Sequence, residues 1–416
     1  MSSLHHRRST CRLCNHSNLE LVVPITPTPL ADAYVTRAQL NEIQECFPLD
    51  LYQCRGCGHV QLLDVVSPEA IFRNYSYFSG RSAGLVKHFR EFADDVLAAT
   101  DLQPGSLVVD IGSNDGTFLK MFQDRGMRVL GIDPAENVAA VANAADVETW
   151  PVFFDAETVA RIRAAFGPAQ VVAANNVFAH TDDMAGMADA IAALLADDGV
   201  FVFEVSYLLD VIDHLLIGTI FHEHTCYHSV HPLDAFLRRH GMELIDVRRV
   251  TIQGGSLIGT AQRLGGKRKV AASVSELKQL EDERKLHEPA TVRTLSTRLN
   301  DVGNETQSLL RKWHDDGLRI AGFGAARGGT LILHHFGIGA IIEFIVDDSP
   351  DKQGLFSPGH HIPVLPTTAL QERTPDIVFI LAWVHTKPIV QQNQWFLDAG
   401  GRFVTCFPKL EVFSRD

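Results

Sequence analysis

The chain has 416 residues, of which 46% are hydrophobic and 21% are charged, as in an ordinary globular protein long enough for about two or three domains. The formal net charge of -13 at pH 7 argues against a general affinity for nucleic acid, whose phosphates would be repelled. No apolar run has the length of a signal peptide or a membrane span, so we expect a cytoplasmic protein that binds no membrane.

The N-terminal part contains two C-x-x-C pairs, CRLC and CRGC, a few dozen residues apart. Two such pairs can coordinate one tetrahedral zinc ion, each pair supplying two thiolates. Four protein ligands leave no open position for water, so the spacing predicts a structural zinc site and not a catalytic one. A redox role is the weaker alternative, because neither pair clearly sits at a strand-to-helix junction. We expect Gly56 and Gly58 to serve turns that need positive φ. The predicted metal ligands are Cys11, Cys14, Cys54 and Cys57.

From about residue 85, apolar strands alternate with amphipathic helices. SLVVDIGSNDGTFLKMF predicts a buried strand over 107–111, a glycine-bearing turn and a helix from about Thr117. RVLGIDP, AQVVAANNVFAH and GVFVFEVS predict further strands of the same sheet. This alternation predicts an α/β fold with a parallel, doubly wound sheet.

The turn after the first strand indicates the ligand class. Gly112, Asn114 and Gly116, preceded by Asp110, do not form the G-x-G-x-x-G pattern of dinucleotide sites. The order resembles motif I of class I S-adenosylmethionine (SAM) methyltransferases, with Asn114 at the usual position of the middle glycine. A Rossmann-like domain for another nucleotide stays open as the alternative.

The cofactor candidates lie at the ends of three predicted strands. Asp133, at the end of the second, is placed to accept hydrogen bonds from ribose hydroxyls, and NNVFAH resembles the fourth-strand end that borders the methyl donor. The predicted cofactor-binding residues are Asp110, Gly112, Asn114, Gly116, Asp133, Pro134, Asn175, Asn176 and Phe178.

FHEHTCYHS, residues 221–229, follows a strand of this sheet, where substrate loops of open α/β folds gather. Its residue types allow three interpretations. His222, His224 and His228 are possible metal ligands, the histidines are solvated surface groups, or one of them is a general base beside the Glu223 carboxylate.

The last third begins with a mixed-charge segment, SELKQLEDERKLHEPATVRTLSTRL, that predicts a solvated helix linking domains. LRIAGFGAARGGTLILHHF then repeats the strand-turn-helix pattern, and AIIEFIVDDSPDKQG adds a strand ending in two aspartates. We therefore expect a second Rossmann-like unit. Gly322 and Gly324 are only a weak nicotinamide signal, because the third glycine is misplaced.

Taken together, NYSYFSGRS, FHEHTCYHS, QGGSL, GFGAARGGT and VDDSPDKQGLFSPGHHIPV resemble the three-part SAM-dependent sugar C-methyltransferases of deoxysugar biosynthesis. The resemblance covers nearly the whole chain and is closest to members that methylate C-3′ in the tetronitrose (tetrocarcin) pathway. It implies a zinc-binding domain over 1–75, a SAM-binding domain over 76–265 and a Rossmann-like substrate domain over 266–416. It also implies SAM and structural Zn²⁺ as cofactors, a TDP-linked 4-keto sugar as substrate, and a monomer or weak homo-oligomer.

In this family the motif reads Tyr-His-Glu-His, and its last histidine is the base. The resemblance therefore makes His224 the base and Glu223 its acidic neighbour. Phe221 stands where the family has tyrosine and cannot donate a hydrogen bond, and Gln253 stands where histidine is more frequent. The other catalytic candidates are Tyr75, Tyr77, His180 and His222, and the substrate-binding candidates are Ser79, Arg327, Asp348 and Lys352.

The sequence thus predicts C-methylation at C-3′ of a TDP-4-keto-deoxysugar, with a 3-amino sugar favoured, in antibiotic biosynthesis. The chemistry is physically sound, because a base removes a proton beside a ketone when the enolate oxygen is stabilised. The alternatives are another sugar carbon such as C-5, and a sugar-nucleotide binding protein whose catalysis is impaired by Phe221.

Overall fold

The computed structural model describes residues 4–72, 75 and 77–415. The chain divides into two compact units, each assembled from three segments. The first comprises the segment up to Glu20, Tyr52–Asp210 and Glu223–Pro289; the second comprises Leu21–Leu51, Val211–His222 and the chain from Ala290 onward. Within the described ranges, no helix combines the length and the hydrophobicity needed to span a bilayer.

A seven-stranded sheet forms the centre of the first unit. Its order is Met242–Val250, Ser256–Arg263, Leu195–Ser206, Ala169–Asn175, Leu107–Ile111, Arg128–Ile132 and Thr149–Trp150. The five strands from Leu195–Ser206 to Thr149–Trp150 are parallel, as the alternating pattern predicts. Because parallel strands end at one edge, the candidate cofactor residues that follow three of these strands share that edge.

The sheet differs from the prediction in one strand. Ser256–Arg263 runs antiparallel to both of its neighbours, Leu195–Ser206 and Met242–Val250. Only five residues connect Val250 to Ser256, and a connection this short returns the chain as a hairpin and cannot make a parallel crossover. The sheet is therefore mixed, and the QGGSL motif lies at this hairpin.

Helices cover the faces of this sheet. Ala83–Thr100 begins at Ser82, whose hydroxyl accepts from the Leu85 N–H, and it buries Phe89 and Phe92 against Phe118 of the next helix. The apolar periodicity of these helices thus builds one core with the strands. The longer helices of the unit are Ala83–Thr100, Thr117–Gln123, Glu136–Ala144, Ala156–Phe166, Met184–Leu194, Val230–Arg239 and Ala272–Glu283.

The N-terminal segments add short strands. His5–Arg7 pairs antiparallel with Asp64–Val66. Val60–Leu62 pairs antiparallel with Cys226–Tyr227, two residues beyond His224. The remaining short elements here are the strands Leu19–Val23 and Leu51–Cys54, the helix Pro68–Phe72 and the 3-10 turns Arg37–Gln39, Ser79–Arg81 and Ile252–Gly254.

The second unit contains a six-stranded sheet, in agreement with a second Rossmann-like pattern. Its order is Val364–Leu365, Ile345–Val346, Ile320–Phe323, Ile377–Ile380, Arg402–Thr405 and Glu411–Phe413. All pairings are parallel except the last, where Glu411–Phe413 runs antiparallel. Its further elements include Arg327–His335, Gly339–Ile341, Ala369–Arg373, Trp383–His385, Thr386–Gln392 and Gln394–Asp398.

The charged segment forms two helices instead of one. Ala272–Glu283 and Pro289–Asp315 are separated by a break in which Lys285 adopts φ 51°. The prediction of a solvated helix is wrong at Glu281, which is buried and accepts hydrogen bonds from the Tyr207 hydroxyl and from the backbone N–H groups of Val230 and His231. The remaining helical stretches among the described residues are Leu208–His214 and Ile217–Thr219.

Candidate active site

The four cysteines predicted to bind zinc come together in the first unit. Their sulfur atoms all lie within 4.8 Å of one another. The Sγ–Sγ distances are 3.7 Å for Cys11–Cys57 and 3.5 Å for Cys14–Cys54. A tetrahedron with Zn–S bonds of about 2.3 Å has edges of about 3.8 Å, so the donor set fits a zinc ion.

Each turn that carries a pair of these cysteines ends in a residue with positive φ. Gly58 has φ 81° and Asn15, at the matching place in the first turn, has φ 59°. The prediction of positive φ was wrong for Gly56. Instead, a Cβ on Gly56 would approach the His16 ring to 2.9 Å, so close packing excludes a side chain there.

The predicted cofactor turn has the backbone that its glycines require. Gly112 has φ 67° and Gly116 has φ 77°. A Cβ on Gly112 would lie 2.4 Å from the Val177 side chain. Both positions therefore require glycine, and the tight turn leads directly into the helix Thr117–Gln123.

Asn114 replaces a glycine without strain and adds a contact. It adopts φ 53°, a left-handed conformation that asparagine tolerates. Its side chain donates to the Tyr77 carbonyl and accepts from the Ser79 N–H, both at 2.9 Å. Asn114 thus ties the Tyr77–Ser79 backbone to the cofactor turn, and Ser79, predicted as a substrate contact, is buried beside this turn.

Two carboxyl groups lie at the strand ends beside this turn. The Asp133 carboxylate accepts from the N–H groups of Asn114 and Ala135, each at 2.9 Å. Asp110 is buried, and one of its oxygens has no hydrogen-bond partner among the described residues. Burial, with a further contribution from Asp133, raises the pKa of Asp110 to about 8. Pro134 follows Asp133 and is half-buried.

The segment Asn175–His180 supplies both core and edge groups. Phe178 is fully buried between Phe201 and Phe203 and stacks on His228, so its side chain belongs to the core. Asn176 adopts φ 56° and donates its N–H to the Glu204 carbonyl. The buried amide of Asn175 has no partner in the part of the chain that the structure describes.

Sequence reasoning missed one ionisable pair near these groups. The fully buried Glu204 lies opposite Asn175 in the sheet, and its carboxylate is 2.6 Å from His88 Nε2. Glu204, the acidic residue within GVFVFEVS, was the signal in the sequence for this pair. A carboxylate in a buried strand requires a hydrogen-bonding or charged partner.

The histidine-rich loop is ordered by backbone and side-chain contacts in the first unit. The His224 ring stacks on the His180 ring, with centroids 4.9 Å apart, and Phe72 stacks on His180 at 5.8 Å. The Tyr75 hydroxyl donates to a Glu223 carboxylate oxygen at 3.0 Å. His224, His180, Glu223 and Tyr75 therefore form one cluster, which we call the histidine cluster. Tyr77 is 40% exposed.

The other two histidines of the loop have structural partners. His228 is fully buried, and its Nε2 lies 2.9 Å from the Phe178 carbonyl oxygen, while burial lowers its pKa to about 4. In the second unit, His222 Nε2 lies 3.2 Å from the Phe47 carbonyl oxygen. Among the residues that the structure describes, only the four cysteines form a group able to hold a metal ion, so the geometry gives the metal-cage interpretation no support.

The predicted substrate residues of the second unit meet around an unpredicted carboxylate. Asp32 accepts from Arg327 Nε at 2.6 Å and from Lys352 Nζ at 3.2 Å. The Arg327 guanidinium also lies over the Phe221 ring, 5.7 Å from its centroid. Asp348 is exposed and accepts from the Thr367 hydroxyl. Asp32 lies far from these residues in sequence, so no local pattern indicates it.

Three family models match successive parts of the chain. A zinc binding domain matches residues 11–72, a methyltransferase domain matches 86–247, and a C-methyltransferase C-terminal domain matches 251–408. The chain is also 34% identical to the C-methyltransferase NovU of Streptomyces niveus over 407 residues, which are 98% of this chain and 97% of NovU. The chain belongs to the C-methyltransferase family that includes NovU.

Other likenesses are confined to part of this C-methyltransferase. It is 29% identical over 161 residues to a ubiquinone biosynthesis O-methyltransferase of Burkholderia thailandensis, covering 36% of this chain and 69% of that one. A solved magnesium protoporphyrin IX methyltransferase from Synechocystis with bound SAM is a remote likeness, with 18% identity, 43% and 81% coverage and a TM-score of 0.33.

These findings define the enzyme and its cofactors. The chain is a SAM-dependent methyltransferase with a class I methyltransferase fold and an N-terminal zinc-binding cysteine cluster. The groups beside the cofactor turn fit a polar ligand such as SAM, because buried side-chain atoms of Asp110 and Asn175 have no hydrogen-bond partner among the described residues.

Proposed function

We propose that this C-methyltransferase methylates C-3′ of a TDP-linked 4-keto-deoxysugar, with a 3-amino sugar favoured, in antibiotic biosynthesis. The observation that carries the proposal is the histidine cluster, in which a potential base, His224, stands next to a carboxylate held by a phenol. Such a set is suited to removing a proton from a carbon beside a ketone. The resemblance of the motifs to sugar C-methyltransferases supplies the substrate class.

In this mechanism His224 accepts the C-3′ proton, and the electrons of the broken C–H bond move toward the 4-keto oxygen as an enolate. Glu223 faces the imidazolium that results, and the Tyr75 hydroxyl fixes Glu223. When bound, SAM would supply an electrophilic sulfonium methyl group to the enolate carbon, and the electrons of the broken C–S bond would stay on sulfur, leaving S-adenosylhomocysteine. His180 supports the His224 ring by stacking, and Tyr77 is proposed to border the reacting sugar, while the motif resemblance makes His222 and Phe221 further catalytic candidates.

The cofactor and substrate groups follow the same proposal. The Gly112–Gly116 turn, Asp110 and Asn175 hold the amino acid end of SAM, and Asp133 and Pro134 border its ribose. Asn176, Phe178 and Ser79 shape the surrounding backbone, and four cysteines bind zinc. Arg327 and Lys352 bind the TDP diphosphate, which requires Asp32 to give up part of both ion pairs. Asp348 is proposed to contact the nucleotide.

One observation favours a second candidate. Phe221 removes a hydrogen-bonding group that the family motif contains, so a sugar-nucleotide binding protein with impaired catalysis is the alternative. Methylation at C-5 is the alternative within the same chemistry.

Incubation with carbon-13-methyl SAM and a TDP-4-keto sugar separates these candidates. We expect a labelled methyl whose NMR correlations connect it to C-3′. Correlations to C-5 would contradict the position, and binding of both ligands without transfer would support the binding protein.

A further inference from the structure

The two zinc-binding turns carry arginine at the same position, after the first cysteine of each pair, yet the two side chains differ sharply. The Arg12 side chain has no exposed surface, whereas the Arg55 side chain is 42% exposed and lies 3.4 Å from Glu20. A buried guanidinium is costly unless it is paired. The burial of the Arg12 guanidinium therefore indicates that its contacts have a specific role.

Arg12 contacts two separate backbone segments of the first unit. Its N–H and its Nη1 donate to Gln61 Oε1 at 3.0 and 3.1 Å, and Nη1 also donates to the Leu62 carbonyl. Its Nη2 lies 3.0 Å from the Asp182 carboxylate. The Arg8 guanidinium also donates to Asp182, both to its carboxylate and to its backbone carbonyl. Arg12 thus joins the strand Val60–Leu62 to the loop that carries His180.

Both segments converge on Thr225, the neighbour of His224. The Leu62 N–H donates to the Thr225 carbonyl at 3.0 Å, and Gln61 is paired with Cys226. The Thr225 hydroxyl contacts the carbonyls of Ala179 and Thr181 at 3.0 and 3.1 Å. Ala179 and Thr181, on either side of His180, and Thr225, next to His224, are therefore tied to the segments that Arg12 holds.

The zinc-binding turn fixes the backbone of Arg12, because Cys11 and Cys14 flank it and both point into the sulfur cluster. We infer that Arg12 is a positioning residue that fixes the His180–His224 stack to the zinc centre, so that zinc serves catalysis by placing the base. This inference rests on the proposed function of His224. It assigns to zinc no contact with substrate.

Arg12→Gln and Arg55→Gln form a matched pair of variants, because the two arginines occupy equivalent positions in the two turns. We expect both variants to retain about one zinc per chain and the parental affinity for SAM. Only Arg12→Gln should slow deuterium exchange at the substrate carbon, by roughly tenfold or more, since proton transfer depends steeply on geometry. It should also shift the pH profile of exchange.

Histidine nitrogen-15 NMR gives a readout that does not depend on activity. The His224 signals are assigned by their loss in His224→Asn. We expect Arg12→Gln, but not Arg55→Gln, to change the tautomer ratio or the titration midpoint of His224. Unchanged His224 signals in folded Arg12→Gln would overturn the inference, even if another residue proves to be the base.

Thr225→Val keeps the test decisive if Arg12→Gln does not fold. This variant removes the hydroxyl contacts to Ala179 and Thr181 without touching the zinc-binding turn. We expect normal zinc content with slower exchange and altered His224 signals. Parental exchange together with parental His224 signals in Thr225→Val would contradict the inference.

Discussion

Phe221 is the residue whose identity most affects the proposed chemistry. It is largely buried, and the Arg327 guanidinium lies over its ring in the second unit. Restoring tyrosine adds one hydroxyl, which is expected to hold the reacting oxygen. Because a hydrogen bond to a charged group contributes about 1.5–3 kcal/mol, we expect turnover to rise by roughly tenfold or more in Phe221→Tyr.

The measurement is single-turnover methyl transfer by the parent, Phe221→Tyr and Phe221→Leu. The leucine variant controls for altered packing and should not exceed the parent. Equal turnover in the tyrosine variant and the parent would show that a phenol at this position plays no part.

Asp110 makes a pH prediction at the level of one residue. Burial raises the pKa of Asp110 to about 8 in the folded protein, whereas the pKa of the same group in the unfolded chain is lower. Between these two pKa values the folded protein keeps the Asp110 proton and the unfolded chain has lost it. Stability from this group is therefore complete at low pH and is lost as pH rises toward about 8. The slope reaches at most about 1.4 kcal/mol per pH unit.

We expect the free energy of unfolding of the ligand-free parent to fall more steeply between pH 6 and pH 8 than that of Asp110→Asn. Denaturant unfolding at both pH values measures the difference, and comparing the two proteins removes contributions of other titrating groups. Identical slopes would contradict the assigned shift.

At the scale of elements, the cofactor turn and the Tyr77–Ser79 segment act as one piece through Asn114. Asn114→Gly preserves the backbone, since glycine accepts φ 53°, but it removes both side-chain hydrogen bonds. We expect faster amide exchange at Ser79 and its neighbours while the strand Leu107–Ile111 stays protected.

Hydrogen exchange followed by mass spectrometry tests this prediction. Asn114→Asp is the intermediate control, because it keeps the acceptor for the Ser79 N–H and loses the donor to the Tyr77 carbonyl. If amide exchange of the Tyr77–Ser79 segment is the same in Asn114→Gly as in the parent, the side-chain hydrogen bonds of Asn114 do not restrain the motion of this segment.

The strands and turns of the first unit were predictable because their signals are local. The apolar run 107–111 and the flanking glycines predict a strand followed by a tight turn, and the structure confirms both. The antiparallel strand Ser256–Arg263 was not predicted, because apolar runs carry no direction. Likewise, the side-chain bonds of Asn114 and the buried Glu281 depend on partners remote in sequence.

At the scale of the whole molecule, zinc is expected to stabilise the first unit. The four thiols lie close together, and the hydrogen bond with Cys57 lowers the pKa of Cys11. Four thiolates repel one another unless a cation binds them. We expect about one zinc per chain, and removal by a chelator should lower the melting temperature and expose four additional reactive thiols.

Cys14→Ser and Cys46→Ser provide the matched comparison. Cys14 lies in the cluster, whereas Cys46 is exposed and outside it. Metal analysis and thermal unfolding should show losses only for Cys14→Ser. Equal behaviour of the two variants would argue against the four-cysteine site.

The sequence predicted which residue types belong to the candidate site, but it did not predict how their side chains contact one another. FHEHTCYHS alone leaves a metal site, surface histidines and a general base open, and only the fold shows that His180 stacks on His224 and that Tyr75 reaches Glu223. The chain also passes repeatedly between two compact units, whereas sequence patterns suggest successive domains. The division into domains over 1–75, 76–265 and 266–416 stays a prediction.

The most direct test of the account is carbon-proton exchange by His224→Asn. With S-adenosylhomocysteine bound, no methyl group is available, so deuterium uptake at C-3′ of the TDP-4-keto sugar reports the base alone. Asparagine keeps the approximate shape of histidine but accepts no proton near neutral pH. We expect the variant to bind both ligands as the parent does and to exchange roughly 100- to 10,000-fold more slowly. Exchange at the parental rate in His224→Asn, with loss in His180→Asn, would contradict the assignment and make His180 the base.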